Sequence, residues 1–219
     1  MVSVIISTFN RRAMLEEAVE SVRAQTLAEW ELLIVDDAST DDTWAWLSSL
    51  RDARIRVYRQ ETNQERSAAR NRGLAEARGD LVMFLDDDDR LLPNGLRLLH
   101  GAMRARPAAI AAAGGKINFA PGAFSLRMPH TPVTVFRQIW PELVARWSAV
   151  PGQCLFRTET IRSVGGFRLD LNVAEDRQLW LDIARLGPAV VIPDYVLEYR
   201  QHTGQWRPSN VAEVRELVL

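Results

Sequence analysis

Four short apolar runs separated by helical patterns fill the first half of the chain, and this alternation restricts the fold more than any other feature. Residues 3–7, 31–35, 55–59 and 81–85 read as strands. Between them Met14, Leu15, Ala18, Val19 and Val22 recur at helical spacing, as do Trp44, Leu47 and Leu50, and then Ala68, Ala69, Leu74 and Ala77. Strands that alternate with helices predict right-handed βαβ units around a mainly parallel central sheet flanked by helices, an α/β architecture.

Ser39-Thr40-Asp41-Asp42 reads as a helix start and Gly79-Asp80 as a helix-to-strand stop. Pro93 is expected in the first turn of a fourth helix running to about Arg106, and residues 108–113 form a candidate fifth strand. From 114 to 151 no period is readable. Order returns at 152–157, followed by a short helix over 158–164, the turn Gly165-Gly166-Phe167, a helix over 175–186 and two extended runs, 190–193 and 196–200. No repeat or hydrophilic linker divides the 219 residues, so a single domain is expected.

A formal charge of −1 gives no global attraction to nucleic acid or anionic lipid, so anion binding must be local. A single cysteine, Cys154, excludes an internal disulfide and a cysteine-based zinc site, in keeping with a reducing compartment. The N-terminus has no basic region, and no apolar run is long enough for a signal peptide or membrane span. The expected location is cytoplasmic. Lys116 is the only lysine among many arginines.

The run Asp86-Asp87-Asp88-Asp89 leaves the apolar stretch 81–85 where a buried strand should end, in the crevice where open α/β sheets bind ligands. A solvated acidic turn would carry four adjacent carboxylates cheaply. At a strand end they call for a cation, and oxygen ligands favour Mg²⁺ or Mn²⁺, which share their shell with substrate phosphates. Two more strand-end loops, Ser7-Thr8-Phe9-Asn10-Arg11 and Asp36-Asp37-Ala38-Ser39, converge on the same crevice. The chain has neither GxGxxG nor GxxxxGK[ST], so metal must take the place of a phosphate-binding glycine loop.

Taken together, VSVIISTFNR, LLIVDDASTDDT, RSAARNRGLAEARGDLVMFLDDDDRLLP, VAEDRQLWLDIA and YRQH resemble the family 2 glycosyltransferases over essentially the whole chain except 114–151. The resemblance implies the GT-A nucleotide-diphospho-sugar transferase fold, with 1–113 as the nucleotide-sugar-binding half and 114–219 as the acceptor-binding half. It implies that Ser7 and Phe9 line the base pocket, that Asp37 accepts a hydrogen bond from a uracil-type N3–H, and that Arg70 approaches the base and phosphates, with Arg66 in reserve. A turn before Thr43 would also account for Asp36 and Asp37. The DXD motif of the family corresponds to Asp86-Asp87-Asp88. Asp88 is then the metal ligand, Asp86 and Asp87 help hold the metal shell and ribose hydroxyls, Asp89 faces solvent or orders the loop, and His202 supplies a third ligand. Asp176 corresponds to the general base, with Glu175 in reserve; as the first acids of a helix both would also be favoured by its dipole.

A nucleoside diphosphate leaves readily once metal neutralises its charge, so one base suffices and inversion is expected, with transfer from a UDP-sugar to the hydroxyl of a carbohydrate or lipid-linked acceptor. Peripheral association with the inner face of a membrane fits such an acceptor. The segment 199–207 is expected to move over the site. Trp140, Trp147 and Trp206 are candidates to face sugar rings, and Arg157, Arg168 and Arg177 to meet an acidic acceptor. The rival readings are a catalytically silent sugar-nucleotide or glycan-binding module and a nucleotidyltransferase; the latter normally has a glycine- and lysine-rich loop, absent here.

Overall fold

The computed structural model describes residues 1–120, 122–127, 134–137, 149–171 and 173–202. Strands β1 (Val2–Thr8), β2 (Trp30–Asp36), β3 (Ile55–Arg59) and β4 (Leu81–Asp86) alternate with helices α1 (Arg12–Arg23), α2 (Thr43–Ser49) and α3 (Glu65–Glu76). They form the parallel part of the sheet in the order β3-β2-β1-β4, as expected for βαβ units. Period-two alternation divides these buried strands between two cores. Val4, Ile6, Leu32, Ile34, Met83 and Leu85 face α1, α2 and α4 (Gly95–Ala105), whereas Ile5, Leu33, Val82 and Phe84 face α3, α5 (Thr158–Ser163) and α6 (Glu175–Ile183). Helix α3 lies so close to β1 that a Cβ on Gly73 would come within 2.5 Å of Ile5 Cγ2.

Beyond β4 the sheet is mixed. β9 (Cys154–Arg157) runs antiparallel between β4 and β6 (Ala111–Ala120), and β10 (Ala189–Arg200) lies parallel to β6. β5 (Arg90–Leu91) and β8 (Val135–Arg137) pair antiparallel with β10, and β7 (Ala123–Arg127) forms a hairpin with β6. Three expectations are corrected here. The fifth strand runs through Gly114 to Ala120, because Gly114 packs beneath Val196, where a Cβ would meet its Cγ1 at 2.7 Å. The two C-terminal runs are one strand, with Pro193 in an irregular register between Val191 and Tyr195. The fourth helix starts at Gly95, since residues 90–91 form β5 and Leu92 donates its N–H to Val196 O.

Candidate functional site

Parallel pairing places Ser7 of β1 opposite Asp86 of β4, and Thr8 opposite Asp36 of β2, so three strand ends open into one crevice. Asn10 takes a left-handed φ of 53°, which asparagine tolerates, and its Oδ1 accepts the Thr40 and Asp41 amides, tying the first loop to the second. Phe9 is 41% exposed beside them, its ring available to a planar ligand. Asp37 is buried, and its Oδ1 accepts hydrogen bonds from Gln60 Nε2 at 2.5 Å and the Gln64 amide at 2.8 Å.

The four aspartates divide into two functions. Asp87 turns back onto the first loop: Thr8 Oγ1 donates to its Oδ2 at 2.7 Å, and Arg11 donates to its Oδ1 at 3.1 Å. The same Arg11 nitrogen reaches Asp88 Oδ2, also at 3.1 Å. Burial pushes the Asp87 carboxyl up to about 6, against the opposing pull of Arg11 and Thr8. Asp86, Asp88 and Asp89 each offer an oxygen, all within 4.8 Å of one another. Of the two expectations for Asp89, facing solvent or ordering the loop, the first is corrected: it is 1% exposed, because the Arg200 amide of β10 donates to its Oδ1 at 2.9 Å and draws it inward. Its Oδ2 is buried without a hydrogen-bond partner, and burial together with Asp86 and Asp88 holds the carboxyl well above the usual range. An orphaned buried carboxylate oxygen beside two further carboxylates fits a hard divalent cation. His202 Nε2 lies 2.9 Å from Asp88 Oδ2, at the edge of this group.

Arg70 of α3 joins the aspartates to α6. It is 4% exposed and donates to Asp86 Oδ1 at 2.6 Å and to Glu175 Oε1 at 3.0 Å, with its guanidinium 4.9 Å from the Phe167 ring centroid. Arg66 stands farther out, 3.7 Å from Glu175. The turn before α6 is fixed by Asn71, whose side chain donates to Phe167 O at 2.7 Å and accepts from its amide at 2.8 Å. Gly166 has φ +79°, and a Cβ there would meet Asn71 Oδ1 at 2.4 Å, so only glycine fits. Asp176 follows in the first turn of α6, half-buried, with its carboxyl raised by burial and by Glu175 against the pull of Arg70.

The crevice thus brings together Ser7, Asp86, Asp87, Asp88, Arg70 and His202, with Phe9 and Asp37 on the adjoining loops and Asp176 one residue beyond the Arg70–Glu175 pair. Thr8, Arg11, Arg200 and Asp89 join the site beyond the residues that the sequence motifs assign to it. Thr8 and Arg11 lay within a loop already singled out, and Arg200 belongs to YRQH; each escaped notice because its partner is distant in sequence. Trp180 is core, 2% exposed. Arg157 donates to the Ala109 and Pro107 carbonyls, and Arg168 pairs with Asp170. Trp140, Trp147, Trp206, His130 and most of 199–207 lie outside the described residues.

The chain matches the family model of Glycosyl transferase family 2 over residues 3–162. A GalNAc(5)-diNAcBac-PP-undecaprenol beta-1,3-glucosyltransferase of Campylobacter jejuni is 41% identical over 100 residues, 44% of this chain and 32% of that protein. The Escherichia coli UDP-Glc:alpha-D-GlcNAc-diphosphoundecaprenol beta-1,3-glucosyltransferase WfaP is 38% identical over 89 residues, 41% of this chain and 36% of its own length. The matched stretch therefore spans about a third of each relative. Among solved structures, S. aureus TarS 1-349 in complex with UDP-GlcNAc superposes with a TM-score of 0.81 at 22% identity, covering 99% of this chain and 64% of that one. That likeness establishes the GT-A fold.

Proposed function

Because this chain belongs to glycosyl transferase family 2, we propose that it transfers a hexosyl group from a UDP-sugar to an acceptor hydroxyl, with inversion at the anomeric carbon. What carries the reading is the joining of the carboxylate group Asp86, Asp88 and Asp89 to Glu175, the residue before Asp176, by one buried residue, Arg70. Phe9 stacks on the base, Asp37 accepts its N3–H, and Ser7 lies beneath the nucleotide. Asp86, Asp88 and Asp89 hold Mn²⁺ or Mg²⁺ with His202, and Arg70 acts on the nucleotide through Asp86, which it orients. A divalent ion bound there neutralises charge growing on the departing diphosphate.

Asp176 takes the proton of the acceptor hydroxyl as that oxygen attacks the anomeric carbon from the face opposite the diphosphate. Glu175 is committed to Arg70 and sets the start of α6, which leaves Asp176 as the base. Arg11 and Thr8 hold Asp87 against the first loop, and Arg11 also ties Asp88 to it, so that loop and aspartate run are set as one unit. The halves 1–113 and 114–219 supply donor and acceptor contacts respectively. The names of two relatives specify diphosphoundecaprenol-linked acceptors, and a TarS structure holds UDP-GlcNAc, which supports a UDP-sugar and a lipid-linked acceptor here. The proposed acceptor is met at the cytoplasmic face by peripheral contact, as the lipid-linked acceptors in those two names suggest; among the described residues no helix is long and apolar enough to cross a membrane.

Calorimetric titration of UDP with EDTA and then with Mn²⁺ tests the site, and consumption of UDP-sugars tests the activity. Tight binding only with Mn²⁺, together with donor turnover, is expected. Binding without turnover over a full donor and acceptor panel would leave a silent nucleotide-sugar module.

A further inference from the structure

We infer that Lys116 is a substrate-contacting cation whose ammonium binds the phosphate joining the donor sugar to the nucleotide, an assignment that rests on the transferase reading above. Its neighbours in the crevice are already committed. Arg11 is held by Asp87 and Asp88, and Arg70 by Asp86 and Glu175. Arg200 pairs with Glu17 and donates to the Asp88 carbonyl, and Arg90 pairs with Glu17 and Glu198. Lys116 makes no hydrogen bond or ion pair with the described residues; its one contact of this kind is with the Tyr199 ring, whose centroid lies 4.0 Å from Nζ.

A half-buried ammonium without a polar partner gives up part of its hydration for nothing in the fold, and its pKa is drawn down by that burial. Such a group points to a ligand. Its position is fixed, because β6 is hydrogen-bonded to β10 and β7 at Lys116. Its Nζ lies over the ring of Tyr199, whose neighbour Arg200 holds Asp89 through its amide, so Lys116 stands beside the cation-holding group. In the transferase reading, the sugar–phosphate junction of the donor lies beside that same group. Among basic residues that are otherwise arginine, lysine supplies here a compact point charge on a flexible stem, suited to phosphate.

The charge it meets grows during the reaction. The bond from the anomeric carbon to the phosphate oxygen breaks with its electron pair on that oxygen, the acceptor oxygen bonds to carbon, and the acceptor proton passes to Asp176. An ammonium beside the departing oxygen stabilises the later stages more than the bound donor.

A single lysine makes the test direct. Among the amines of this 219-residue chain acetylation reaches Lys116 and the terminal amine, and peptide mass spectrometry separates the two. UDP with Mn²⁺ should protect Lys116 beyond Mn²⁺ alone, whereas UMP with Mn²⁺ should not. By calorimetry Lys116→Met should lose UDP affinity on the order of tenfold, the scale of one charge-assisted hydrogen bond, with UMP affinity unchanged and Lys116→Arg restoring most of the loss. Equal acetylation with and without UDP, in a wild type that binds UDP, would overturn the assignment. Protection by a prenyl diphosphate but not by UDP would also overturn it, placing Lys116 on the acceptor. A wild type that binds no UDP with Mn²⁺ would instead overturn the transferase reading itself.

Discussion

Arg70 and Glu175 meet through a 3.0 Å hydrogen bond between residues 105 positions apart, and the other arm of the same guanidinium holds Asp86 at 2.6 Å. One planar, permanently charged group therefore sets the distance between the donor-side carboxylates and the start of the base helix. Replacing it leaves Glu175 buried without its closest charge partner. Arg70→Met should lose about 3–5 kcal/mol of stability in urea unfolding. Arg70→Lys should also fall well short of wild type, because one ammonium cannot reproduce the two-armed geometry; wild-type stability in both variants would show that the strut is dispensable.

The raised carboxyl of Asp176 fixes the sign of the pH dependence. A base acts only when ionised, and burial with the neighbouring Glu175 pushes Asp176 above the ordinary aspartate value of ~3.9. The rate should therefore fall as pH drops through a midpoint above that value. Glu175→Gln removes one of the two causes, so the acidic limb of kcat/KM should shift to lower pH even where the maximal rate declines. An upward shift would assign the limb to another group.

Without metal, the buried aspartates work against the fold. Asp87 is pushed up to about 6 by burial, and Asp89 is raised by burial and by Asp86 and Asp88. Each binds its proton more tightly folded than unfolded, so their contribution to stability declines as pH rises from ~3.9 and stays low above the folded value. For Asp87 the cost above that value is about 3 kcal/mol. Asp89→Asn keeps an oxygen for the Arg200 amide but cannot ionise. In EDTA at pH 8 it should be more stable than wild type by roughly 1–3 kcal/mol, the scale of an unsatisfied buried polar group, with a flatter decline as pH rises above the ordinary aspartate value of ~3.9. It should lose the stabilisation that Mn²⁺ gives wild type. A variant less stable at pH 8 would mean that the Asp89 charge is already compensated.

The parallel half of the sheet was legible because each strand and its helix are local: buried strands are short apolar runs, and Leu15, Val19 and Val22 repeat at helical spacing along one helix. The strand ends, and with them the aspartates, followed from that pattern. What escaped notice depends on long-range pairing. Arg90 and Leu91 form a strand only because Glu198 and Leu197 lie beside them, and Asp89 is buried only because the Arg200 amide reaches it. Asp87 differs from its neighbours because Thr8 and Arg11 take both its oxygens, a distinction that four identical residues in a row cannot display. Lys116 lies in a stretch with no readable period, on a strand defined by its partners β7, β9 and β10.

The most direct test of the proposed chemistry is Asp176→Asn assayed for donor binding and sugar transfer on the same preparation. Asparagine retains the shape and the oxygen that accepts the Arg177 amide at 2.7 Å, so α6 should start unchanged. UDP affinity with Mn²⁺ should stay near that of wild type while transfer falls by at least about 10²-fold, the lower end for a positioned general base. Transfer at the wild-type rate by Asp176→Asn would contradict the account, and its loss in Glu175→Gln alone would move the base to the neighbouring residue.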